Sequence, residues 1–234
     1  MTKLGNIKLR TLRDVAYESI RESIMKHELM PGETLTITKL SGMLGISPTP
    51  VREAVVRLSN EGILDYEANK RVKVSKIERA DVSQIYEARR LIEVHISKKF
   101  VVGLKKNKDL KMKLEELKEE TSNLIQSKQD PEHFAVIDLK LHELFLNLMG
   151  TGIMKELFYI LGNKSLRIRT LVEATNKDRG ITSEVLQKGA REHLDIIEAL
   201  LNENEDQVVG TMEAHLINSE KRTLKYLDDY FNTL

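Results

Sequence analysis

The 234 residues include no cysteine, which removes disulfides and thiolate metal sites and suits a reducing cytoplasm. No apolar run approaches the ~20 residues that a helix needs to cross a bilayer. The first residues, Met1 to Arg13, lack the apolar centre of a secretory signal. An excess of one charge is also missing, with 37 Lys and Arg against 36 Asp and Glu. No segment repeats at a fixed period or falls into low complexity. These absences argue against membrane-spanning, secreted and repeat architectures. They leave a cytoplasmic globular protein without a membrane partner, whose 41% hydrophobic content can bury real cores.

The charges that are present are unevenly placed. Residues 1–76 hold 13 Lys and Arg against 9 Asp and Glu, and residues 77–234 hold 24 against 27. The positive surplus lies at the N-terminal end, where a surface meeting phosphates would carry it.

Helical spacing of Val15, Ile20 and Ile24 predicts a first helix from Leu12 to His27. Pro31-Gly32 marks a turn, and Thr34-Leu35 can start a short strand. Thr36 or Thr38 can cap a second helix carrying Leu40, Met43 and Leu44, which Gly45-Ile46 breaks. Ser47 is placed to cap a third helix that has Pro48 at its first position. Gly62 ends it, and Ile63–Tyr66 and Val72–Val74 read as strands around the tip Ala68-Asn69-Lys70-Arg71. Helix, helix, tight turn, helix and hairpin is the order of a winged helix-turn-helix. From Glu78 onward only helical periodicity remains, with breaks that separate about six helices. The fold class is therefore mainly α: a winged helix-turn-helix over 1–76 and an all-helical bundle over 77–234.

In the third helix, Val51, Ala54, Val55 and Leu58 form an inward stripe and leave Thr49 and Arg52 outward near the N-terminus. Arg52 can meet a guanine edge or a phosphate, and Thr49 can donate to a phosphate. Alone, the same helix reads better as a capped surface helix with solvated arginines. The motif around it selects the DNA-reading alternative. Arg57 further along, and Lys70 and Arg71 at the hairpin tip, complete the expected DNA-facing set.

The run Leu40–Val55, followed by Leu58 and Glu61-Gly62-Ile63-Leu64, resembles the signature of the GntR superfamily. The resemblance implies a homodimer on a palindromic double-stranded operator, with Thr49 and Arg52 at the DNA and the hairpin tip near the minor groove. The chain departs from the pattern at Pro48, where relatives usually carry arginine, and at Arg71, where glycine is usual. Thr38 also stands where a charged residue is common.

The second domain holds a sparse set of histidines. Asp138 and His142 are four residues apart and so share one helix face. His193 and His215 border the apolar stripes of their own helices and should face inward. One carboxylate and three imidazoles converging in a bundle suit a divalent transition metal, with zinc the first choice and nickel or manganese the alternatives. A histidine on an apolar face is, taken singly, more often a satisfied core residue than a ligand.

Asp138-x-x-x-His142, Glu192-His193-x-x-Ile196-x-x-Ala199-Leu200, Met212-x-x-His215 and Tyr86-Glu87-Ala88-Arg89-Arg90-Leu91-Ile92-Glu93 are similar to the FCD effector domain of the FadR-like GntR branch. This resemblance implies a metal held by Asp138, His142, His193 and His215, and a small carboxylate effector gripped by Arg89. Arg89 alternatively pairs with Glu87 or Glu93. Leu141 stands where phenylalanine often precedes the second ligand, and His95 has no counterpart. His27 and His133 are read as surface residues.

The function expected is a transcription regulator, a repressor by the commoner mode of the family, and not an enzyme. Three rivals stay open: a purely structural metal, an apolar effector such as an acyl thioester, and a metal-dependent hydrolase.

Overall fold

The computed structural model describes residues 11–66, 71–127, 131–148, 152–176 and 181–232, without the side chains of 127, 131–136, 138, 139, 148 and 181–184. Lys70, and the side chains of His133 and Asp138, therefore lie outside the described set. The chain divides into two compact units, one ending at Ile77 and one beginning at Glu78.

The first unit opens with α1 (Leu12–Met25), started by a capping box in which Thr11 and Asp14 satisfy each other's backbone N–H groups. Its buried stripe is Ala16, Tyr17, Ile20 and Ile24, whereas Val15 faces out. The helix stops at Met25, and His27 adopts a left-handed φ of 55° and is buried, so it is not the surface residue expected. β1 (Thr34–Leu35) leads to α2 (Ile37–Leu44), which Thr36 caps by accepting from the Lys39 N–H at 3.0 Å. Met43 is exposed rather than buried.

Gly45 then turns the chain at φ +66°, a conformation that β-carbons disfavour. α3 (Pro48–Asn60) follows, with Pro48 in the first turn, where a missing N–H costs nothing. Ser47 occupies the cap position, but its side chain makes no capping hydrogen bond. β2 (Leu64–Tyr66) and β3 (Val72–Val74) form the hairpin, and β1 joins β3 on its other edge to give the sheet order β1-β3-β2. All pairings are antiparallel, with Thr34 opposite Lys73 and Tyr66 opposite Val72. Val51, Ala54, Val55 and Leu58 of α3 are fully buried against Ile20, Ile24, Leu40, Leu64 and Val74.

The second unit consists of α4 (Arg79–Leu104), α5 (Lys108–Ser127), α6 (Pro131–Leu148), α7 (Ile153–Thr175), α8 (Ile181–Leu201), α9 (Glu205–Tyr226) and the single turn α10 (Asp228–Phe231). α4 packs along α9 and also on α7, while α8 lies against α5 and α9. α8 shows why these segments bundle: Ala190, His193, Ile196, Ile197, Ala199 and Leu200 are buried at helical spacing. Phe100 of α4 meets Phe145 of α6 at a ring-centroid distance of 4.8 Å. Polar ties add direction: Arg90 donates to Glu220 at 2.6 Å, and the Tyr86 and Thr223 hydroxyls lie 3.2 Å apart. No described helix is long and apolar enough to cross a membrane.

A methyl group at Gly45 would meet no atom within 4 Å, so any cost of Gly45→Ala is conformational. The variant should lose about 1–2 kcal/mol, read as a fall in the denaturant midpoint without a change in slope.

Candidate DNA interface and effector pocket

On α3 the stripe that packs inward leaves Thr49, Arg52 and Glu53 exposed at the helix start. Arg71 is exposed where β3 begins. Arg57 is placed differently. Its guanidinium lies 3.6 Å from the centroid of the Tyr17 ring, and its Nε donates to Glu61 at 3.3 Å. The Tyr17 hydroxyl donates to the other Glu61 oxygen at 2.9 Å. Burial, then Glu61, pushes the Tyr17 phenol up to about 12, so it stays a donor. Arg57 thus braces α3 on α1 while keeping about half its side chain in solvent.

The second unit encloses a cavity of about 530 Å³. Arg89 of α4, His142 of α6, His193 of α8 and His215 of α9 all line it. The rings of His193 and His215 are 4.6 Å apart, and His142 packs on Phe158 with centroids 5.4 Å apart. His193 and His215 are buried, and His95 is exposed. Asp138 sits one turn before His142 on α6, with its side chain outside the described set. Among the described residues, no three His, Asp or Glu side chains are gathered closely enough to hold a metal as they stand.

The donor chemistry nevertheless fits an imidazole-bound metal. His215 Nδ1 lies 2.9 Å from Glu192 Oε2. Arg222 holds both oxygens of Glu192, at 2.5 and 2.6 Å, and Asn218 donates at 3.2 Å. Burial works against the Glu192 charge, but Arg222 and His215 outweigh it and bring the carboxyl down to about 2. An ionised Glu192 at Nδ1 keeps the proton there and leaves Nε2 of His215 as the bare acceptor.

Arg89 takes the second of the alternatives open to it. Its Nε donates to Glu93 at 2.5 Å and its Nη2 at 3.3 Å, with both side chains buried. Burial raises the Glu93 carboxyl, yet Arg89, with His142 and His215 beyond it, holds it below the usual range. Glu87 is exposed.

Arg222 and the role of Glu192 escaped the sequence reading, whereas Glu93 stood there as one of two possible partners of Arg89. A faint signal existed for Arg222: His215, Ser219, Arg222 and Tyr226 recur at helical spacing, and all four line the cavity.

The comparisons agree with this geometry. The sequence model for bacterial regulatory proteins of the gntR family matches residues 12–74, and the FCD domain model matches residues 84–218. The chain is 24% identical over 211 residues to the uncharacterized HTH-type transcriptional regulator YdhC of Bacillus subtilis, covering 90% of each protein. It is 25% identical over 200 residues to the HTH-type transcriptional repressor RspR of Escherichia coli, covering 86% of this chain and 83% of RspR. Among solved structures, E. coli McbR/YncC superposes with a TM-score of 0.71 at 17% identity, over 95% of this chain and all of that one, which speaks for the fold alone. With one model on each compact unit and full-length relatives of the same kind, the chain belongs to the GntR family of DNA-binding transcription regulators, with an FCD domain behind its winged helix, and is not an enzyme.

Proposed function

We propose that the protein is a homodimeric repressor that grips a palindromic operator and releases it when a carboxylate effector enters the FCD cavity beside a transition metal. The observation that carries this reading is that Arg89 and three histidines from α6, α8 and α9 face one cavity. Asp138, His142, His193 and His215 would hold the metal, zinc by preference. When bound, it supplies a Lewis-acid anchor for one effector oxygen. Arg89 would take the carboxylate by two parallel N–H bonds, exchanging its contact with Glu93. The effector shifts operator affinity only as far as it binds the two states of the dimer unequally.

At the DNA, Thr49 and Arg52 are the base- and phosphate-contacting pair, with Lys70 and Arg71 at the wing. Arg57 contributes by bracing α3, because its guanidinium is already committed to Tyr17 and Glu61. RspR, a repressor of similar length, supports the direction of control. Support for the dimer comes from α7. Ile153, Leu157 and Ile160 recur on the helix face turned away from the cavity and are 74%, 40% and 48% exposed, an apolar stripe suited to a second copy.

Four outcomes follow. Arg52→Ala should weaken operator binding about 10- to 100-fold, whereas Arg57→Ala should lower the melting temperature and leave base preference unchanged; fluorescence anisotropy on an operator series separates them. The purified dimer should carry about one zinc per chain by elemental analysis, lost in His193→Ala. Glu192→Gln should weaken zinc affinity by about 10- to 100-fold in a chelator competition. A doubly charged stripe, Leu157→Glu with Ile160→Glu, should sediment as a monomer and lose most operator affinity.

A further inference from the structure

The cavity is larger and more apolar than a short polar acid requires. At about 530 Å³ it falls in the range that holds a drug-sized ligand, roughly 300–1,000 Å³. Arg89 and the three imidazoles of His142, His193 and His215 line it together. The apolar part of the wall is made by Leu146 of α6, Phe158, Leu166 and Val172 of α7, and Val185 and Leu186 of α8, with Asn163, Ser165 and Arg169 of α7 among its polar groups. Glu173, about four turns along α7 from the Phe158 ring that touches His142, also lines it. Burial pushes the Glu173 carboxyl up, and Arg169 offsets this only in part. A second carboxylate on a ligand would meet this acid at the far end.

Gly162 adds an independent observation. It lies inside α7 and lines the cavity. A β-carbon built on it meets no atom within 4 Å. Glycine inside a helix costs about 1 kcal/mol relative to alanine, and no neighbouring protein atom requires it here. The bare backbone leaves room in the cavity itself.

We infer that the effector is a monocarboxylic acid with an apolar alkyl or aryl body, its carboxylate at Arg89 and the histidines and its body lying over Gly162 along Leu166, Val172 and Leu186. This assignment rests on the cavity being the effector pocket and narrows the ligand class within that reading. Sugar acids and short dicarboxylates fit it less well, because they leave Leu166, Val172 and Leu186 uncovered.

The test is direct binding to the full-length protein, zinc-loaded and zinc-free. Calorimetry would use straight-chain acids from acetate to decanoate below their micelle concentrations, with succinate and gluconate beside them. Affinity should rise about fourfold per added methylene until the cavity is filled. Gly162→Leu should keep or raise the melting temperature, leave acetate unaffected and weaken octanoate at least tenfold. Affinity independent of chain length, succinate or gluconate binding more tightly than every monocarboxylate, or octanoate affinity unchanged in Gly162→Leu would each overturn the assignment. Operator anisotropy separates this failure from that of the broader reading. Length-dependent binding without release of DNA keeps the ligand class and removes the effector role. Release by succinate or gluconate but not octanoate does the reverse.

Discussion

Glu192 projects from α8 into a nest of donors that α9 supplies: Arg222 on both oxygens, Asn218 on one and His215 Nδ1 on the other. A carboxylate out of water is costly unless its lone pairs are filled, and here Arg222 fills two of them in the fork geometry that suits carboxylates best. This one charge therefore does three things. It holds α8 to α9, it fixes the tautomer of His215, and it turns the free nitrogen of that ring away from Glu192. The cavity chemistry depends on a contact between two helices of its wall, made by Arg222, which itself lines the cavity.

A similar economy operates in the winged helix. Tyr17, Arg57 and Glu61 form a closed set in which a ring face, a guanidinium and a carboxylate each satisfy another. The set anchors the C-terminal half of α3 on α1, while Gly45 and Pro48 determine how its N-terminal half enters. The exposed Thr49 and Arg52 are thus carried on a helix fixed at both ends, as a base-reading element needs to be.

Local physics made much of this legible from residues alone. The Pro31-Gly32 turn, Gly45, Pro48 and the stripe Val51–Leu58 are signals that act within a few residues, and they placed the helix-turn-helix and its buried face. Periodicity around His193 and His215 likewise turned those rings inward. What escaped were pairings across elements. Glu192 with Arg222 joins positions 30 residues apart, and the commitment of Arg57 to Tyr17 and Glu61 depends on how α1 lies on α3. No pattern within one helix encodes either. His27 was misjudged for a related reason: its left-handed backbone and burial follow from where α1 stops, and its polarity alone pointed outward. Arg89 shows the intermediate case, because the i,i+4 spacing to Glu93 was visible and the choice over Glu87 was made by burial.

The central claim is that Glu192 presents the bare Nε2 of His215 to a metal shared with His142 and His193. Long-range ¹H–¹⁵N correlation of the imidazole rings, recorded on metal-free protein and after one equivalent of zinc, tests it most directly. The account predicts that His215 starts as the Nδ1–H tautomer and that zinc shifts the ligating nitrogens of His142, His193 and His215 together, leaving His27, His95 and His133 in place. A His215 that carries its proton on Nε2, or three rings that do not respond to zinc, would contradict it.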